Sequence, residues 1–289
     1  MATGKQVKLY RKEWLRLLKK ADTIDNPTAT AVLDFLKQSR SRIADKLISA
    51  EGFEQFRLSN LLRSIDDVFE EFNVNATSLL ASDTVKAFDF GIDLFDKPFE
   101  VAGASRQLSA MPMISRDALE SHLERGSQFI TNLSSDSANK IKAEITLGIT
   151  GEKSQADVMR EIGGTIKKGR FSSIAARAEA IVRTEVNSAL NSATLRRANQ
   201  ATNEFTQMRK FWMNSGRGNV RPTHVTADRQ TNPAKGGTPI QMRQNFHMNG
   251  RTAKGPHDPN LKAQDSINCN CRLGFDISRV DIALNPMAF

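Results

Sequence analysis

Three of the four histidines and both cysteines of this chain fall between residues 224 and 271: His224, His247, His257, Cys269 and Cys271. Cys269 and Cys271 are separated by a single residue, Asn270. On an extended segment, residues i and i+2 project to the same side, so two thiolates can face one cation. One intervening residue makes a disulfide between them geometrically poor. Zinc prefers four ligands drawn from Cys and His. The metal set read from the sequence is His224, Cys269, Cys271 and His257, with His247, Asp228 or Asp258 as other sources of a fourth ligand. The competing reading is two buried cysteines acting as small hydrophobes in a reducing compartment.

A second chemistry is charge. Residues 1–150 hold 20 Lys and Arg against 21 Asp and Glu, whereas residues 151–289 hold 21 against 11. Within 195–254 the count is 11 against 2, so the basic excess belongs to one stretch. Such asymmetry suits a polyanion, and Arg221, Arg243, Arg251 and Lys254 are the candidate phosphate contacts. The plainer reading is a solvated basic surface. Two Trp and one Tyr are too few for an aromatic track along single-stranded nucleic acid.

The sequence argues against catalysis. Within 195–254 the only acids are Glu204 and Asp228, so the paired carboxylates expected of a magnesium nuclease are missing. The chain also lacks a zinc-deaminase pattern, a P-loop, a Rossmann glycine pattern and Gly-x-Ser-x-Gly. The alternative kept open is a metal-dependent nuclease or other effector using His224, Asp228, His247 and His257.

The elements that must position these residues are mostly helices. Val7, Tyr10, Trp14, Leu17 and Ala21 mark one helical face, with basic residues over much of the rest. That pattern fits a packing helix, and leaves contact with a membrane or an acidic partner open. Asp25-Asn26-Pro27 starts the next helix. Apolar stripes follow at Val32–Ile48 and Leu58–Phe72, and a Phe-rich stretch runs to Lys97-Pro98. Residues 101–113 read as a connector. One helix is expected from Ser115 to about Leu133, and another opening at Ser134–Ser137. Ser154 caps a short helix, and the strongest helix runs from Ser172 to about Gln200, where Arg183, Asn187 and Asn191 share a face. Beyond Gln200 helical periodicity vanishes, and Phe205–Met213 and Arg272–Ile277 read as strands. The fold class is therefore α+β, a mostly helical N-terminal part (1–150) with a smaller C-terminal α+β domain (151–289). No apolar run approaches the ~20 residues of a membrane span, and no secretory leader is apparent, so synthesis in a cytoplasm is expected.

The order of features over about 150–280 resembles the phage Mu F-like head-morphogenesis domain. The resembling segments are ARAEAIVRTEVNSALNSATLRRA (176–198) with Arg183-Thr184-Glu185, KFWMNSG (210–216) with Trp212, and VRPTHVTADRQ (220–230) with Arg221, His224 and Asp228. GPHDP (255–259) and INCNCRLGF (267–275) complete the order. The chain departs from the family at Arg229-Gln230, where a Gly is frequent, and at Asn270, where an Arg is frequent. The resemblance implies a minor head protein of a tailed bacteriophage, present in few copies inside the capsid. Its implied partners are the portal protein, the major capsid protein and packaged double-stranded DNA, with no small-molecule substrate. It also implies a role in head assembly and exit with the genome on DNA ejection.

Overall fold

The computed structural model describes residues 1–49, 58–166 and 173–282. Helices dominate, and the few short strands are confined to the C-terminal part, giving the α+β class that the periodicities indicate. By their contacts the residues form two compact units. One comprises Met1–Asp25, Thr84–His122 and Thr184–Phe289; the other comprises Asn26–Asp83 and Leu123–Arg183. Each unit therefore draws on both sides of residue 150, because helices that begin in one unit continue into the other.

Among the described residues seven helices come first: α1 (Gly4–Ala21), α2 (Asn26–Ser49), α3 (Leu58–Val101), α4 (Ser105–Ser109), α5 (Asp117–Ile149), α6 (Gln155–Ile166) and α7 (Ile174–Gln200). In α1 the Thr3 and Gln6 side chains form a reciprocal capping box. Its apolar face, including Tyr10, Trp14, Leu17, Leu18 and Ala21, is buried. A face already packed on the protein is not free to enter a bilayer, and no described helix is long and apolar enough to cross one.

Two helices run further than their sequence punctuation suggests. The helix α3 passes through Pro98 into one more turn and stops where Gly103 takes a left-handed φ of 101°. The α5 helix is continuous where two helices are expected. Its Ser134 hydroxyl donates to the Phe69 carbonyl at 2.7 Å, and Ser137 donates back to Leu133 at 2.5 Å. These serines satisfy their hydroxyls without leaving the helix, so they do not act as caps.

In the other unit, the core of α1, α3 and the C-terminal region is aromatic. Phe99 stacks on Phe205 at 4.3 Å, meets Phe95 at 4.9 Å and is met edge-on by Tyr10 at 5.0 Å. Burying each such ring removes enough apolar surface to contribute roughly 2–3 kcal/mol. Gly91 in α3 lets α7 approach closely, and the Thr194 hydroxyl donates to the Gly91 carbonyl at 2.8 Å.

The strands are β1 (Arg209–Met213), β2 (Ile240–Gln241), β3 (Phe246–Met248), β4 (Arg251–Ala253) and β5 (Arg272–Asp276). They form an antiparallel sheet in the order β2-β1-β5 and a separate β3-β4 hairpin. The hairpin turns on Asn249 and Gly250, both at positive φ (50° and 72°), the backbone that an Asn-Gly pair adopts readily. A further helix, α8 (Pro222–Thr231), lies where the sequence shows no helical period. It spans only ten residues from its proline, too few for periodicity to register. The four-residue α9 (Ala263–Ser266) precedes the cysteine segment.

Candidate metal centre

The helix α8 begins with Arg221 as its cap and Pro222 in its first turn. His224, Ala227, Asp228 and Thr231 form its buried face, at the spacing of one helical side. The Thr231 hydroxyl accepts the Trp212 backbone N–H at 2.9 Å, which fixes α8 against β1. The Trp212 indole then meets the His224 ring edge-on, centroids 5.2 Å apart.

Cys269 and Cys271 lie just before β5, both almost fully buried. The His224 Nδ1 atom sits 3.2 Å from the Cys271 sulfur and 3.6 Å from the Cys269 sulfur. The ligand atoms of these three residues all lie within 4.8 Å of one another, close enough to hold one metal ion. Ser215, Asn219, Arg221 and Asn268 help line a cleft of about 220 Å³ against which this cluster sits.

A polar row on α7 holds the cysteine segment in place. Thr184 accepts the Asn268 backbone N–H at 3.1 Å, Asn187 donates to the Asn270 side-chain oxygen at 3.1 Å, and Asn191 donates to the Cys271 carbonyl at 3.2 Å. The buried Arg272 guanidinium donates to Asn187 Oδ1 at 2.5 Å, to the Ala21 carbonyl at 2.9 Å and to the Cys271 carbonyl at 3.1 Å. Burial pushes its pKa down, while Asp22, the cysteines and Asp25 oppose that shift.

The electrostatics favour one thiolate in the pair. A hydrogen bond from Cys271 draws the Cys269 thiol well below its usual range, against burial, with His224 and His257 adding to the effect. The same bond and burial hold the proton on Cys271, despite help from the Trp212 indole and the Ser215 backbone N–H. The pair thus releases one proton readily and the second with difficulty. A bound cation supplies the positive charge that the second release requires.

The other candidate residues separate into different roles. His257 lies against the cysteines, with Nε2 2.9 Å from the Cys269 carbonyl. His247 is exposed in the middle of β3, while its neighbours Phe246 and Met248 point inward, so it is not part of the cluster. The buried Asp228 carboxylate accepts from Asn232 at 2.7 Å and pairs with Lys235, and Asp258 accepts the backbone N–H groups of Lys254 and Asn260 at 2.7 and 2.9 Å. Both aspartates therefore serve local structure. Arg221 donates to the Ile267 carbonyl at the edge of the cleft. Arg243, Arg251 and Lys254 are exposed.

Set against known proteins, the chain matches no family model, no curated protein and no solved structure. The chemistry of the site therefore stands on its own residues.

Two of those residues carry no sequence signal. Asp265 in α9 is buried with a carboxylate oxygen 4.0 Å from His224 Nε2, and both its oxygens accept from Asn249, at 2.9 and 3.1 Å. Lys210 is buried in β1, donates to the Lys254 carbonyl at 2.8 Å and lies 5.3 Å from the centre of the Phe246 ring. Burial lowers its pKa to about 8, with Asp258 opposing.

Proposed function

We propose that this chain is a structural minor head protein of a tailed bacteriophage, of the phage Mu F-like class, with zinc bound at His224, Cys269 and Cys271. It lies inside the capsid near the portal and acts in head assembly. The observation that carries this reading is a convergence. The segments that resemble the family in chain order also meet in space: α7 through Thr184, Asn187 and Asn191, β1 through Trp212, α8 through His224, the 255–259 turn through His257, and the cysteine segment. A resemblance by chance gives no reason for its separate pieces to build one centre.

Zinc suits two thiolates and an imidazole better than magnesium or calcium, which take oxygen ligands. When bound, it supplies a fixed positive charge that holds the second cysteine deprotonated. His224 presents Nδ1 to the sulfurs, and Trp212 and Thr231 hold α8 so that this orientation persists. The exposed Arg243, Arg251 and Lys254 suit phosphates of the packaged genome, and the helical part suits protein neighbours at the portal vertex.

The test is fractionation of DNA-filled heads from cells producing the phage that encodes the chain. The protein is expected to co-sediment with heads and resist added protease until the heads are opened. Its absence from purified heads overturns the reading.

A further inference from the structure

We infer that His257 completes a closed four-ligand site with His224, Cys269 and Cys271, so that the metal clasps three chain segments and presents no exchangeable position. The inference rests on the metal reading above and specifies its coordination.

The argument starts from the hydrogen atoms of the two imidazoles. His257 Nε2 lies 2.9 Å from the Cys269 carbonyl oxygen. A carbonyl only accepts, so Nε2 carries the hydrogen, and the neutral ring keeps its lone pair on Nδ1. That Nδ1 atom is buried and has no hydrogen-bond partner. The ring lies beside Cys269 but outside the set of ligand atoms already within 4.8 Å of one another, so the 255–259 turn must bring it closer to the ion. A buried lone pair with nothing to accept is free to become a ligand.

His224 offers its ring to the same cysteine segment. Its Nδ1 faces both sulfurs, and its buried Nε2 points to Asp265 at 4.0 Å. Asn249 holds that carboxylate by both oxygens. His224 thus turns Nδ1 to the cysteines while its Nε2 stands beyond hydrogen-bond reach of Asp265, and His257 has Nε2 held on a carbonyl oxygen, the contact that fixes a metal-binding histidine in tautomer and orientation.

The backbone supports the same role. His257 has a left-handed φ of 61°, a backbone conformation that residues with a Cβ seldom adopt. The adjoining Asp258 carboxylate stabilises the turn by accepting from Lys254 and Asn260. Charge also closes. Two thiolates neutralise a divalent cation, two neutral imidazoles add no charge, and both thiol protons pass to solvent on binding. The ligands come from α8, the 255–259 turn and the segment before β5, so one ion ties a short helix to two stretches that have little regular structure of their own.

Cobalt(II) titrated into the reduced, metal-free full chain reads the coordination directly. The wild type is expected to bind one cobalt with thiolate charge-transfer absorption and the intense visible bands of a tetrahedral ion, unchanged by added azide. His257→Ala should lose the intense bands, keep the charge transfer, bind at least about tenfold more weakly, and recover the tetrahedral spectrum with free imidazole. An unaltered spectrum and affinity in His257→Ala, or a wild-type spectrum that shifts with azide, overturns the closed site while leaving the metal intact. The azide arm needs no variant, so misfolding of His257→Ala does not remove the test. No cobalt binding by the wild type overturns the metal reading itself.

Discussion

The Asn191 side-chain amide donates to the Cys271 carbonyl at 3.2 Å, and both residues are buried. The helix that carries Arg183-Thr184-Glu185 is thereby fastened to the segment that carries the thiols. Asn191→Ala removes one of two side-chain donors to this buried carbonyl and leaves the Arg272 guanidinium as the other, which costs about 1 kcal/mol. Urea unfolding should show a lower midpoint at an unchanged slope. An unshifted midpoint means that this fastening contributes nothing to stability.

Gly91 is a point of close approach between α3 and α7. A Cβ added there meets the Leu190 carbonyl oxygen at 2.3 Å and the Ala193 Cβ at 2.9 Å. Backbone and a short side chain cannot swing aside, so the helices must separate. Gly91→Ala should destabilise by roughly 1–3 kcal/mol or more, although alanine is the better helix former. A melting temperature at or above that of the wild type contradicts the packing described.

Lys210 makes stability depend on pH. Burial lowers its folded pKa to about 8 from an unfolded 10.5, so between these values the unfolded chain binds more protons. Stability from this group therefore rises as pH increases from about 8 to about 10.5, and the cost of burying the charge is fully present below that window. Relative to Lys210→Met, the wild type should gain in melting temperature across this range. Parallel curves for the two proteins contradict the shift.

DNA binding, if carried by exposed charge, is set by counterions. Neutralising Arg243, Arg251 and Lys254 to Gln should lower the slope of log affinity against log salt by about 2.7, at roughly 0.9 per phosphate contact. Fluorescence anisotropy on two unrelated duplexes measures both slope and sequence preference. A slope equal to that of the wild type excludes these side chains as phosphate contacts.

Much of the fold was legible because helical periods are long and strong. The stripes of Tyr10 and Trp14, of Val32 and Leu36, and of Val182 and Val186 all bury as their spacing indicates. The pairing of Cys269 with Cys271 and their meeting with His224 were legible from residue type and order. Asp265 was not, because its role depends on a ring nitrogen contributed by a helix 41 positions earlier in the chain. The charge excess was legible as a number but not as a surface. Arg197 pairs with Asp96 at 2.7 Å, Lys235 pairs with Asp228, and Lys210 is buried, so part of the basic stretch is spent within the fold. The Asn249-Gly250 turn was a readable hairpin signal that lay between strands too short to announce themselves.

Elemental mass spectrometry of the purified protein, beside a Cys269→Ser, Cys271→Ser double variant, bears most directly on the metal-organised centre. One zinc per chain in the wild type and none in the variant is the expected result. A wild-type protein purified without chelator that carries no metal, and acquires none on dialysis against zinc, contradicts it and leaves the cysteines as core residues.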